Sequence, residues 1–140
     1  MHVAYINVFV GDLTRAVEFY VSVLGLDLQY SSPEHGYACL ASGGIWFGLA
    51  VPGPDQQDLV GRHTGIGFTV SDLASEHIRL SGLAVNFPMP PTEQPWGGFM
   101  ALFADPDGNV FISIRSMTIV RDSSDTPLRS STKSTSNRLQ

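Results

Sequence analysis

The sequence has one cysteine, Cys39, which excludes a disulfide within the chain and a cluster of thiolate metal ligands. Its apolar setting, "YACLA", predicts a small buried packing residue, because neither a helix start nor a basic neighbour stands near enough in sequence to activate the thiol. Long hydrophobic runs are also missing. No stretch approaches the roughly 18 apolar residues of a membrane span. Met1 is followed by strand-like sequence instead of a basic region and an apolar signal core, so a cytoplasmic protein with no membrane partner is expected. Charged residues make up only 15% of the chain, and their balance is acidic, with a net charge of -5. The imbalance lies in residues 1–120, where eleven acids face four arginines for a net -7, while residues 121–140 carry +2. Such a body repels phosphate backbones, which argues against a nucleic-acid partner, and is compatible with a cationic ligand. His2, His35, His63 and His77 are scattered without the spacing of metal ligands.

A hydrophobic fraction of 43% over 140 residues suits one globular domain, placed at 1–120. The last segment, "RDSSDTPLRSSTKSTSNRLQ" at 121–140, holds nine serines and threonines and no aromatic residue, and reads as a disordered tail. The domain repeats itself. "INVFVGDL" at 6–13 returns as "IGFTVSDL" at 66–73, each time where a strand pattern gives way to a helical one. Asp12 and Asp72 fit helix N-caps, with Gly25 and Gly82 as the helix ends. Three strand-like runs follow each helix: "LDLQY", "GYACLA" and "GIWFGLAV", then "LAVNF", "GFMALFA" and "NVFISI". The class is therefore α+β, built from two βαβββ units. Asp105 and Asp107 of "DPDG" are read as turn residues, with Pro106 presetting φ and Gly108 taking the conformation other residues resist.

"FVGDLTRAVEFYVSVLGLDL" at 9–28 and "PWGGFMALFADPDGNVFISI" at 95–114, in that order around the repeat, resemble the vicinal oxygen chelate superfamily over about residues 3–115. That superfamily includes glyoxalase I, extradiol dioxygenases and bleomycin resistance proteins. The resemblance implies module 1 at about 3–52, a connector at 53–63 and module 2 at about 64–116. It implies further that the modules form a partly closed mixed β-barrel with helices outside, an inward face that binds a small molecule, and a homodimer.

Metalloenzymes of the superfamily place their ligands at positions that correspond here to Tyr5, Gly48, Gly65 and Ile112. None offers the imidazole or carboxylate donors a divalent ion prefers, so no metal and no other cofactor is expected. On the implied inward face, Tyr5, Phe9, Trp46 and the loop residue Trp96 supply flat rings. Gly48, Gly65 and Gly67 leave space, Met100 and Ile112 add apolar surface, and Asn7, Thr69 and His63 offer hydrogen bonds. The expected function is metal-free binding of a small molecule, cationic aromatic or antibiotic-like. The alternative is a lyase, isomerase or dioxygenase with a non-standard metal or acid-base site drawing on His63, Tyr5 and Glu34. Whether the chain is an enzyme stays open at this point.

Overall fold

Two aspartates start the two main helices in the computed structural model, which describes residues 1–115; the tail expected at 121–140 lies outside them. Asp12 Oδ1 accepts from the backbone N–H of Arg15, and Asp72 Oδ1 from that of Ser75, each at 3.0 Å. Both caps have the extended backbone of an N-cap, as the repeated Asp-Leu pair predicts. Helix α1, Leu13–Glu18, runs on as a wider π-helical stretch over Phe19–Val23, in which the Leu24 N–H donates to the Phe19 carbonyl at 3.0 Å. Phe19 and Tyr20 are both buried there, and Gly25 ends the stretch at φ +84°. Helix α2, Leu73–Gly82, departs from expectation at its end: Gly82 is still helical, and the left-handed residue is Ala84 at φ 65°.

Strands β1 (Tyr5–Phe9), β2 (Asp27–Ser32), β3 (Tyr37–Ser42) and β4 (Ile45–Ala50) form one sheet in the order β1-β4-β3-β2. Strands β5 (His63–Val70), β6 (Asn86–Glu93), β7 (Phe99–Ala104) and β8 (Val110–Arg115) form a second in the order β5-β8-β7-β6. In each, the first and last strands pair in parallel and the others are antiparallel. The two βαβββ modules thus share one topology, and no ladder joins their sheets, so closure within the chain is only partial. Strand β6 begins later than "LAVNF" suggests and includes Pro88, Pro90 and Pro91. Prolines survive there because β6 is an outer strand with one side that owes no N–H donors.

Alternation sorts each strand. In β1, Ile6 and Val8 turn toward the core while Tyr5 and Asn7 stay exposed. The core gathers Val8, Leu40, Phe47 and Leu49 of the first sheet with Phe103 and Phe111 of the second, under Phe19 and Tyr20 of the first helix. Ring contacts cross the module boundary: Phe47 lies 5.8 Å from Phe68, which lies 5.4 Å from Phe111. One apolar interior therefore serves both sheets, and burying each such phenylalanine contributes about 1.5–3 kcal/mol.

The DPDG turn does more than reverse the chain. Asp105 Oδ1 accepts from the N–H groups of Asp107 and Asn109, while Asp105 Oδ2 accepts from the Tyr20 hydroxyl and the Asn109 amide. The Asn109 amide also donates to the Phe9 carbonyl, and its oxygen accepts from the N–H groups of Gly61 and Arg62. Arg15 pairs with Asp107 at 3.0 Å. These bonds tie module 2 to β1, to the first helix and to the connector, so Asp105 and Asp107 are inter-module ties as well as turn residues.

Candidate functional site

With Ile6, Val8, Phe47 and Leu49 committed to the core, the other face of the first sheet presents Tyr5, Asn7 and Phe9 from β1 and Trp46, Gly48 and Ala50 from β4. Register sets Tyr5 beside Trp46, Asn7 beside Gly48 and Phe9 beside Ala50. Tyr5 is 58% and Trp46 50% exposed, and Phe9 is half-buried. Among the described residues neither Tyr5 nor Trp46 touches another aromatic ring, in contrast to the phenylalanines of the core. Two large rings thus stand side by side with free faces.

Gly48 serves a close approach. A β-carbon there would stand 2.7 Å from the Tyr37 hydroxyl, and the Asn7 side-chain oxygen comes nearer still. The absent side chain is what lets Asn7 and Tyr37 converge in the middle of the face. Register places Tyr37 of β3 beside Ala50, and Cys39 beside Gly48. Burial pushes the Tyr37 phenol above its ordinary pKa, reinforced by the neighbouring Cys39 thiol and Tyr5, so Tyr37 is a neutral hydrogen-bonding group. Tyr37 was not among the residues expected from sequence, although its place in β3, alternating with buried Ala38 and Leu40, was the signal for it. Cys39 departs from the expected packing role: it is only partly buried and lies on this face.

The second sheet has a different open face. Gly67 lies beside Ile112, which lies beside Leu102; Thr69 lies beside Ile114, which lies beside Met100. This surface is aliphatic where the first is aromatic. Gly65 adopts φ +72° within a break in the β5 register, and its N–H donates to His63 Nδ1 at 3.0 Å. Gly67 and Thr69 also edge a cleft of about 410 Å3 that opens between Leu24, Leu26 and Gly43 of module 1 and Phe68, Val70 and Leu80 of module 2. Trp96 stands apart, 64% exposed in the β6–β7 loop, with its ring over Gly98 in the place a β-carbon would take. His77 packs edge-on against Phe87 at 4.6 Å.

The four positions that the resemblance matches to metalloenzyme ligands do not suit a divalent ion here. Tyr5 offers a lone phenol, Gly48 and Gly65 have no side chain, and Ile112 is apolar. Among the described residues no three of His, Cys, Asp and Glu come together. His63, Tyr5 and Glu34 share no hydrogen bond: His63 Nδ1 is held by Gly65, and Glu34 accepts from Ser32 Oγ at 3.2 Å.

No helix among the described residues is long and apolar enough to cross a membrane. A family model described as the Glyoxalase/Bleomycin resistance protein/Dioxygenase superfamily matches residues 2–112. TnmS3, an antibiotic binding protein from Streptomyces sp. CB03234, is similar at 30% identity over 84% of this chain and 97% of that one, with a TM-score of 0.70. A member of the same superfamily from Sphaerobacter thermophilus DSM 20745 is similar at 28% identity over 83% of this chain and 98% of that one, with a TM-score of 0.68. TioX from Micromonospora sp. ML1, at 24% identity over 84% of this chain and all of that one, has a TM-score of 0.64 and speaks for the fold alone. No curated protein matches. The chain belongs to the Glyoxalase/Bleomycin resistance protein/Dioxygenase superfamily.

Proposed function

We propose that this superfamily member binds a flat, antibiotic-like small molecule without a metal, on the open aromatic face of its first sheet. The observation that carries the reading is the neighbouring pair Tyr5 and Trp46, whose rings are half exposed on a face that the core does not use. A ligand covering about 300 Å2 of apolar surface gains roughly 7 kcal/mol before the entropy of association is charged against it. Asn7 and Tyr37 would then orient it by hydrogen bonds over Gly48. Similarity to an antibiotic binding protein supports the same class of ligand. Strands β1, β3 and β4 contain no acid, so a cationic ligand, with which the acidic body is compatible, would rest on ring faces alone.

The two open faces, one aromatic and one aliphatic, also suit a homodimer in which copies cover each other's sheets and enclose the ligand. Tyr5, Leu28, Tyr30, Ile45 and Trp46 are all exposed on the first module, apolar surface that a second copy would cover. Titration of tryptophan fluorescence with a panel of planar antibiotics tests the binding. The result expected is saturable quenching that Trp46→Ala abolishes; an unchanged signal across the panel overturns the reading. Sedimentation equilibrium tests the dimer, and a monomer at all concentrations refutes that part.

A further inference from the structure

We infer that the ligand of this face carries an anionic group, a carboxylate, held in a recess between β1 and β5 by Arg62, His63 and Asn7. The inference rests on the proposed ligand face and assigns the chemistry of one end of its ligand. The recess has a volume of about 190 Å3 and lies where the outer strand of one sheet meets the outer strand of the other, with Asn7 and Phe9 on one wall and Arg62, His63 and Thr64 on the opposite one.

Its polar groups divide into those already satisfied and those still open. Asn109 is fully used: its oxygen takes the N–H groups of Gly61 and Arg62, and its amide donates to Phe9 and Asp105. The Thr64 hydroxyl donates to the Val110 carbonyl at 2.8 Å and accepts from the Ile66 N–H. Three groups remain. The Arg62 guanidinium pairs with no carboxylate among the described residues, in contrast to Arg15 and Arg79. His63 Nδ1 accepts from the Gly65 N–H, which places the proton of the neutral ring on Nε2 and makes that atom a donor. Asn7 supplies an amide with no partner among the described residues.

No acid lines the recess. A chain of net charge -5 thus has a local pocket whose open groups are donors, one permanently cationic. That set suits a small oxyanion, which a planar guanidinium grips with two parallel bonds. Arg62, His63 and Asn7 are themselves exposed, so a cation would meet three donors and no carboxylate there, and an apolar group would use none of them. Asn7 belongs to both surfaces, since it lines the recess and also reaches over Gly48. Tyr5 lies two residues back along β1, about 7 Å away at strand rise, which is the span from a carboxylate to the far side of a fused aromatic system. The bulk charge points the other way, but groups at contact outweigh a screened net charge.

Isothermal calorimetry on the full chain with three probes of one shape tests this: naphthoate, naphthalene carboxamide and naphthylmethylammonium. Naphthoate is expected to bind about tenfold more tightly than the carboxamide, the scale of a charge-assisted bond, and the ammonium weakest. Arg62→Gln should close the tenfold gap between naphthoate and the carboxamide. The substitution keeps the backbone N–H that Asn109 accepts, and circular dichroism confirms the fold. Should the variant fail to fold, the ranking of the three probes on the native chain still decides. Equal affinity for all three, or tightest binding of the ammonium, overturns the carboxylate assignment and leaves the aromatic face standing. Failure of all three to bind overturns both.

Discussion

The Tyr20 hydroxyl donates to Asp105 Oδ2 at 2.7 Å, joining two buried residues that are 85 positions apart in the chain. Tyr20 is wholly shielded from solvent, and its ring also touches Phe47 of the first sheet and Phe111 of the second. Removing its hydroxyl leaves a buried carboxylate oxygen with one donor fewer. Tyr20→Phe is expected to destabilise the protein by about 1–3 kcal/mol, read from the urea midpoint with an unchanged denaturant slope. A loss within about 0.3 kcal/mol would show that the bond contributes nothing net.

The same phenol predicts an alkaline limit. Burial, followed by the Asp105 and Asp107 carboxylates, pushes the Tyr20 pKa far above its ordinary value of 10.0. In the unfolded chain the group ionises near that ordinary value, so the folded state holds a proton the unfolded state has lost. The contribution is complete below pH 10.0 and falls by about 1.4 kcal/mol for each pH unit above it. Urea midpoints measured on both sides of that pH should show the decline in the native protein and a shallower one in Tyr20→Phe. Identical slopes would mean that another group governs alkaline unfolding.

Gly48→Ala places a methyl group where Asn7 and Tyr37 converge. Because β4 lies inside the sheet and cannot retreat, those two side chains must swing away, at a cost of about 1–3 kcal/mol in stability. Ligand binding should fall at least tenfold, since both orienting groups move. If stability and affinity stay at native levels, the convergence over Gly48 is dispensable.

Tyr5→Ala and Trp46→Ala remove rings that stand clear of the core. Stability should change by no more than about 0.5 kcal/mol in each, whereas binding of a planar ligand should weaken by roughly 0.5–1.5 kcal/mol beyond the lost area. Calorimetry and urea unfolding on the same preparations separate the two effects. Large destabilisation with unaltered binding would assign both rings to packing.

The repeat made the architecture legible. Asp12 and Asp72, sixty residues apart, each precede an apolar helical pattern and follow an alternating strand, and the cap geometry follows from those local signals. The π-helical stretch was not legible, because Phe19, Tyr20, Val23 and Leu24 satisfy an α-helical stripe equally well. Ala84 escaped for a related reason: Gly82 was the residue whose chemistry favours a left-handed end, yet α2 continues through it. Of the candidate site, the face bearing Tyr5, Asn7 and Phe9 follows from alternation alone, whereas Gly48 came from the resemblance with Trp46 two residues before it, and only the β1–β4 register sets them beside that face. Alternation in β3 was enough to put Tyr37 on one face of its strand, but its approach to Asn7 depends on the β3–β4 register, which no local pattern specifies. The ties made by Asp105 and Asn109 were equally hidden, since a turn motif does not name its distant partners.

Three prolines in β6 have a bearing on how copies of this protein can meet. Pro88, Pro90 and Pro91 strip backbone donors from the rim of the second sheet, so an arriving strand would find no continuous ladder to zip onto there. At that rim, growth by strand addition into fibres is disfavoured, which leaves broadside contact between sheets as the way a second copy could meet it.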